Sequence, residues 1–292
     1  MNRRVILRGM GGAAATALGF SRFEGRLAEA REATDLASLG LPELTITVNE
    51  TEYQVSPATT PAGWTLLTFV NQGAGDNSAD VMLLPSGETI ESLMATLASQ
   101  TAAPPAWIYE TTFAGAPWVP AGASGQAVVL LSAGEWVAFS PAPLTPASLT
   151  VTAENATPVA PSGLQADREI TMQEFAFLGL DEPVAAGPQV WEVANEGQQP
   201  HILSISQLPA GTTQAQYMDS MMAMMSGTPE AGGLDLANLS ILGGCSTVSR
   251  GQSLYLPLDL EAGTYGAICF FPDEETGAPH VLMGMAQVFT VG

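Results

Sequence analysis

Apolar and polar residues alternate in short runs along most of this chain. Leu44-Thr45-Ile46-Thr47-Val48, Thr65 to Val70, Val128 to Leu131 and Leu149-Thr150-Val151 have the period of two that turns one face of a strand inward. Gly, Pro and Asn bound these runs and mark the turns between them. A second series follows: Ile170 to Phe177, Gln189 to Ala194, His201 to Gln207, Ser253 to Leu260, Thr264 to Phe271 and Met285 to Val291. Glu261-Ala262-Gly263 is placed to close a hairpin. Two stretches read as helices, Thr89 to Ser99 and Thr213 to Ser226, each with Thr as N-cap, and Gly227 stops the second. The pattern predicts an all-β fold of Greek-key β-sandwiches, each with one short helix.

The two series are copies. Asn195-Glu196-Gly197-Gln198-Gln199-Pro200-His201, followed by Gln207-Leu208-Pro209, answers Asn71-Gln72-Gly73-Ala74-Gly75-Asp76-Asn77, followed by Leu83-Leu84-Pro85. Gly251-Gln252 answers Gly125-Gln126, and Ala262-Gly263-Thr264-Tyr265 answers Ala133-Gly134-Glu135-Trp136. This alignment sets Val119 against Cys245 and Ser140 against Cys269. The repeat is a domain long, too long for a solenoid. The expected organisation is a domain over residues 35–155, a polar, Pro-containing linker over 156–164 and a second domain over 165–292.

With 46% hydrophobic and 13% charged residues, the chain is composed like a globular β-rich protein and not a disordered one. Arg3-Arg4-Val5-Ile6-Leu7-Arg8, the weakly apolar Gly9 to Phe20 and the small-x-small Ala28-Glu29-Ala30 read as a twin-arginine-like signal peptide over residues 1–30. The mature chain is then expected in the periplasm or outside the cell. No later apolar run reaches bilayer length, so no membrane insertion of the mature chain is expected. Removing the leader leaves three arginines, Arg31, Arg168 and Arg250, no lysine and nearly all of the 29 acidic residues. Such a surface repels nucleic-acid backbones and suits a basic partner.

The later copy alone carries His201, Cys269, His280 and Met285, and its two histidines are the only ones in the chain. His280-Val281-Leu282-Met283-Gly284-Met285, running into Ala286 to Val291, resembles the His-x-x-x-Gly-Met ending of the cupredoxins, the type I blue copper family. The resemblance covers most of residues 165–292, while residues 35–155 share only the sandwich. It implies two tandem cupredoxin-like domains, the first without metal ligands. In the second it implies one copper held by the imidazoles of His201 and His280, the thiolate of Cys269 and the axial thioether of Met285. It also implies one-electron transfer to a redox partner protein, not catalysis. Two imidazoles, a thiolate and a thioether are a mixed soft set suited to copper in both oxidation states. The chain departs from the family in the ten residues between Cys269 and His280, and two outcomes fit. The loop bulges outward and returns His280 to the metal, or it leaves His280 at the surface. Glu274 or Glu275 entering the shell would make the site harder.

A rival reading uses the same residues. An exported chain with two cysteines favours a Cys245–Cys269 disulfide, with Cys245 in a loop beyond the sheet, and a metal-free interaction or structural protein. Met218, Met221, Met222 and Met225 fall at i, i+3, i+4 and i+7 and read as core packing of a helix face, with Met224 off it. With both histidines assigned no base remains for a Ser-His-Asp set, no Gly-rich phosphate loop follows a strand, and Asp273-Glu274-Glu275 reads as a solvated run.

Overall fold

The computed structural model describes residues 35–99, 104–140, 145–153, 161–227, 233–236 and 239–292. The expected leader and residues 156–160 of the expected linker lie outside the described residues.

The N-terminal half runs β1 (Glu43–Val48), β2 (Tyr53–Ser56), β3 (Thr59–Pro61), β4 (Gly63–Asn71), β5 (Asp80–Leu83), α1 (Ile90–Ser99), α2 (Trp107–Glu110), β6 (Thr112–Phe113), β7 (Ser124–Leu131), β8 (Gly134–Phe139) and β9 (Ala147–Thr152). The C-terminal half runs β10 (Arg168–Gln173), β11 (Ala176–Leu178), β12 (Gly187–Asn195), β13 (His201–Leu208), α3 (Gln214–Ser226), β14 (Ile241–Val248), β15 (Ser253–Leu260), β16 (Gly263–Ile268), a 3-10 turn His280–Met283 and β17 (Ala286–Val291). The duplication is visible in the pairings. β1 lies parallel to β4 and antiparallel to β2, as β10 lies parallel to β12 and antiparallel to β11. β8 sits between β5 and β9, as β16 sits between β13 and β17. The protein is all-β, two facing-sheet sandwiches, with α2 as a one-turn helix beyond the one helix per copy expected.

One sheet serves both halves. Its order is β11-β10-β12-β15-β7-β4-β1-β2, and the join is Leu254↔Val129 and Tyr255↔Val128. Because Val128 aligns with Leu254 and Val129 with Tyr255, this register is self-complementary, the signature of a two-fold contact. The opposite sheets are tied the same way: Ala114 bridges to Val248 and Pro117 to Cys245, and Ser246 donates its N–H to the Ala116 carbonyl at 2.8 Å. Ser246 and Ser249 hydroxyls accept the N–H groups of Ala116 and Phe113 at 2.9 and 2.8 Å. A single core of buried residues runs from Leu44 to Val291 across this join. Trp136 and Trp191 are wholly buried within it, each adding about 4 to 6 kcal/mol of transfer free energy as an upper bound.

The alternation of the sequence becomes strands with a few corrections. The run Ile170 to Phe177 is two strands, β10 and β11, because the chain reverses at Glu174-Phe175, where Phe175 takes a left-handed φ of 64°. Cys245 lies in β14, inside the sheet and opposite Leu203, and not in a loop beyond it. In α3 the Thr213 cap and the Gly227 stop form as expected, Gln216 completing a capping box and Gly227 taking a left-handed φ. The buried face differs: Tyr217 and Met221 are buried, Met218 and Met224 pack against the same cluster, and Met222 is exposed. Tyr217, Met221 and Met224 are the i, i+4, i+7 row, so the aromatic ring sets the face and turns Met222 outward.

Candidate metal centre

Three donors from three places meet in the C-terminal half. His201 opens β13, Cys269 follows the last residue of β16, and His280 opens the 3-10 turn before β17. All three are fully buried. The Nδ1 atoms of His201 and His280 stand 3.1 Å apart, and Cys269 Sγ lies 3.9 Å from the first and 3.5 Å from the second. One potential donor atom from each of the three lies within 4.8 Å of the others. Met285 is also fully buried and shares the core cluster with Cys269.

The backbone explains why they converge. The ten residues after Cys269 close into a hairpin, with Pro272 bridging to Pro279 and Asp273 exchanging backbone bonds with Ala278 and Gly277. Asp273 Oδ1 also accepts from the Thr276 N–H and hydroxyl at 2.8 and 2.6 Å. The extra length therefore bulges outward and His280 returns, the first of the two outcomes left open by the sequence. His280 N–H donates to the Phe271 carbonyl, Val281 N–H to the Cys269 carbonyl and Cys269 N–H to the Met285 carbonyl, locking all three positions to one another. The N-terminal half backs this corner. Tyr109 and Phe113 pack edge-on against Phe271 at 5.8 and 6.2 Å, Phe271 lies 6.0 Å from the His280 ring, and the Tyr109 hydroxyl donates to the Pro272 carbonyl at 3.2 Å.

Both cysteines are free. Strand order argues against the rival bridge: β13 lies between β14 and β16, so the chain segments carrying Cys245 and Cys269 are two strand spacings apart, roughly 10 Å. A disulfide needs Cα atoms within about 7 Å. Cys269 Sγ instead accepts the Ile202 N–H at 3.2 Å.

Burial controls the protonation. It pushes the Cys269 thiol up to about 12, against the N–H groups of Ile202 and Phe271 that favour the thiolate. It pushes His201 down to about 4, helped by His280 and opposed by Glu174, and pushes His280 down to about 4 against Asp273 and Glu174. Both rings are thus neutral near neutrality, with lone pairs available to a cation. Their outer nitrogens meet a polar rim. His280 Nε2 lies 3.4 Å from Gln199 Oε1, and Gln199 Nε2 donates to Asp273 Oδ2 at 2.9 Å. Glu174 Oε1 accepts the N–H groups of Gln198 and Gln199, which outweigh burial and hold its carboxyl below the usual range. Glu274 gives its N–H to Gln199 Oε1, and the donor group contains neither Glu274 nor Glu275.

Among the described residues, the matching corner of the N-terminal half has no donor set. Asn77, aligned with His201, accepts the Tyr53 hydroxyl at 3.1 Å, which also donates to the Ser78 carbonyl. Sequence reasoning missed Glu174, Phe175 and Gln199. The usable signal was Asn195, repeated as Asn71: its side chain ties the loop before His201 by donating to the Gln199 and Val248 carbonyls, as Asn71 donates to Gly75 and Val119.

No protein-family model and no curated protein matches the chain. Blue copper proteins are among its structural neighbours. Reduced auracyanin from Roseiflexus castenholzii is 19% identical over 42% of this chain and 94% of its own, with a TM-score of 0.30. Auracyanin A, a blue copper protein from Chloroflexus aurantiacus, is 19% identical over 42% of this chain and 99% of its own, at 0.26. A multicopper oxidase is 13% identical over 86% of this chain and 88% of its own, at 0.22. Among the described residues no helix is long and apolar enough to cross a membrane.

Proposed function

We propose that this chain is an exported one-electron carrier with a single type I-like copper in its C-terminal domain, held by His201, Cys269 and His280 with Met285 as the weak axial ligand. The observation that carries the reading is the burial of two facing Nδ1 atoms and one sulfur within 4.8 Å of one another. The donors fit the ion: neutral imidazoles and a thiol that ionises on binding are what copper takes in either oxidation state. Copper bound there supplies one-electron oxidation and reduction.

The chain's own residues do the rest. The three donors are fixed by mutual backbone bonds and excluded from water, which supports the same geometry in both oxidation states. The three donors are closed off from solvent, so none of them is open to a dissolved substrate, and with only two histidines in the chain no second imidazole-held centre can be assembled. These two points favour a carrier over an oxidase. Export through the twin-arginine-like leader of residues 1–30 and an electron partner with a basic surface complete the reading, the latter because the acidic residues far outnumber the basic ones. The N-terminal domain, 35–155, serves as a ligand-free buttress for the loop that returns His280.

A copper titration of the purified mature chain tests it. One equivalent bound, with strong visible thiolate-to-copper absorption that Cys269→Ser removes, is the expected result. Absence of both stoichiometric copper and colour would sink the reading.

A further inference from the structure

His201 Nε2 is buried and makes no hydrogen bond, and Glu174 Oε1 stands 3.7 Å from it. A buried donor left unpaired costs about 1 to 3 kcal/mol, and ligating histidines ordinarily give this proton to an acceptor. Glu174 is held in place for that role. It sits in the β10–β11 reversal beside left-handed Phe175, whose ring packs edge-on to His280 at 5.2 Å, and the Gln198 and Gln199 N–H groups fix the same Oε1. Gly197 keeps the space between them open: a Cβ there would lie 2.7 Å from Glu174 Oε1 and 2.8 Å from His201 Nε2. In the copy without histidines this arrangement is relaxed. The matching Glu50 is exposed, and a Cβ at Gly73 would be 3.8 Å from its Oε1.

We propose that Glu174 is a positioning residue for the copper centre, accepting the Nε2 proton of His201, presenting Nδ1 to the metal and biasing the site toward oxidised copper. This rests on the copper reading above. The bias follows from charge: a carboxylate bonded to the ligand ring makes it a stronger donor and favours the more positive ion. If Glu174 only pins the Gln198-Gln199 turn, its loss weakens both oxidation states equally and leaves the potential unchanged.

The test compares the full-length wild type with Glu174→Gln, Glu174→Asp and Gly197→Ala, measuring Cu(I) and Cu(II) affinities by chelator competition together with the midpoint potential. Glu174→Gln keeps an acceptor for the turn and removes the charge. The expected result is a Cu(II) affinity reduced about tenfold more than that for Cu(I), which at one electron is a rise of 59 mV. Glu174→Asp restores part of the shift, and Gly197→Ala, which wedges the pair apart, moves the potential the same way. In the metal-free wild type, isotope-labelled histidine spectra should place the His201 proton on Nε2, a readout that needs no variant to fold. A potential unmoved in Glu174→Gln while the wild type shows its copper band, or an Nδ1–H His201, overturns this proposal alone. A wild type that takes up no copper overturns the copper reading and the proposal with it.

Discussion

Loading copper into this centre should release one proton, and the proton should come from Cys269. Burial pushes the thiol up to about 12 and the two imidazoles down to about 4. Between pH 6 and 8 the empty site therefore holds a protonated sulfur and two neutral rings, and only the sulfur must lose a proton to bind. Affinity should then rise tenfold, 1.36 kcal/mol, per pH unit, roughly a hundredfold across that range. The assay counts protons with a pH indicator in weakly buffered solution as copper is added, and repeats the affinity measurement at pH 6, 7 and 8. One proton per copper and a slope of one are expected, with both lost in Cys269→Ser. Zero protons would mean a preformed thiolate, and two or more would mean charged rings; either refutes the account of a dry, neutral site.

Three further outcomes follow from the same geometry. Cys245→Ala should keep the visible copper band while costing about 1 kcal/mol of stability, since this thiol is core filler one strand away from the donors, and loss of the band would refute its structural assignment. The metal-free protein should be most stable above pH 6.5 and weaken down to about pH 4. Both rings are depressed in the folded state, so the unfolded chain binds more protons in that window, at up to about 3 kcal/mol per ring, and flat urea midpoints from pH 7 to 4 would contradict it. Gly244→Ala should destabilise by at least about 3 kcal/mol in chemical denaturation, because φ is 98° and the new Cβ would lie 2.0 Å from the Leu203 carbonyl.

Strands whose one face is wet were legible in the sequence, since β1 alternates buried and half-buried positions over Leu44 to Val48 and β12 does so from Trp191 to Asn195. β14 was not. Its last six residues are all buried because the N-terminal half covers the side that solvent would occupy, so Gly243-Gly244-Cys245-Ser246 shows no alternation. Placing Cys245 in a loop, where a disulfide to Cys269 is conceivable, follows from that missing alternation. That His201, Cys269 and His280 belong together was readable from residue type and order. What spacing alone could not convey was the path of residues 270–279, which depends on the Asp273 turn and the Pro272–Pro279 bridge. Glu174 escaped notice for a similar reason: it is 27 residues before His201 and reaches it only because the chain reverses at Phe175.

The self-matching register at Val128-Val129 and Leu254-Tyr255 has a consequence for dissection of the chain. Severed near residue 160, each half would bare the strand edge it now gives to its sister, and bare edges recruit the nearest complement. Because each of those edges also fits a second copy of itself, isolated halves should appear as homodimers in sedimentation. The covalent tandem makes that docking intramolecular, at an effective concentration set by a short tether instead of by expression level.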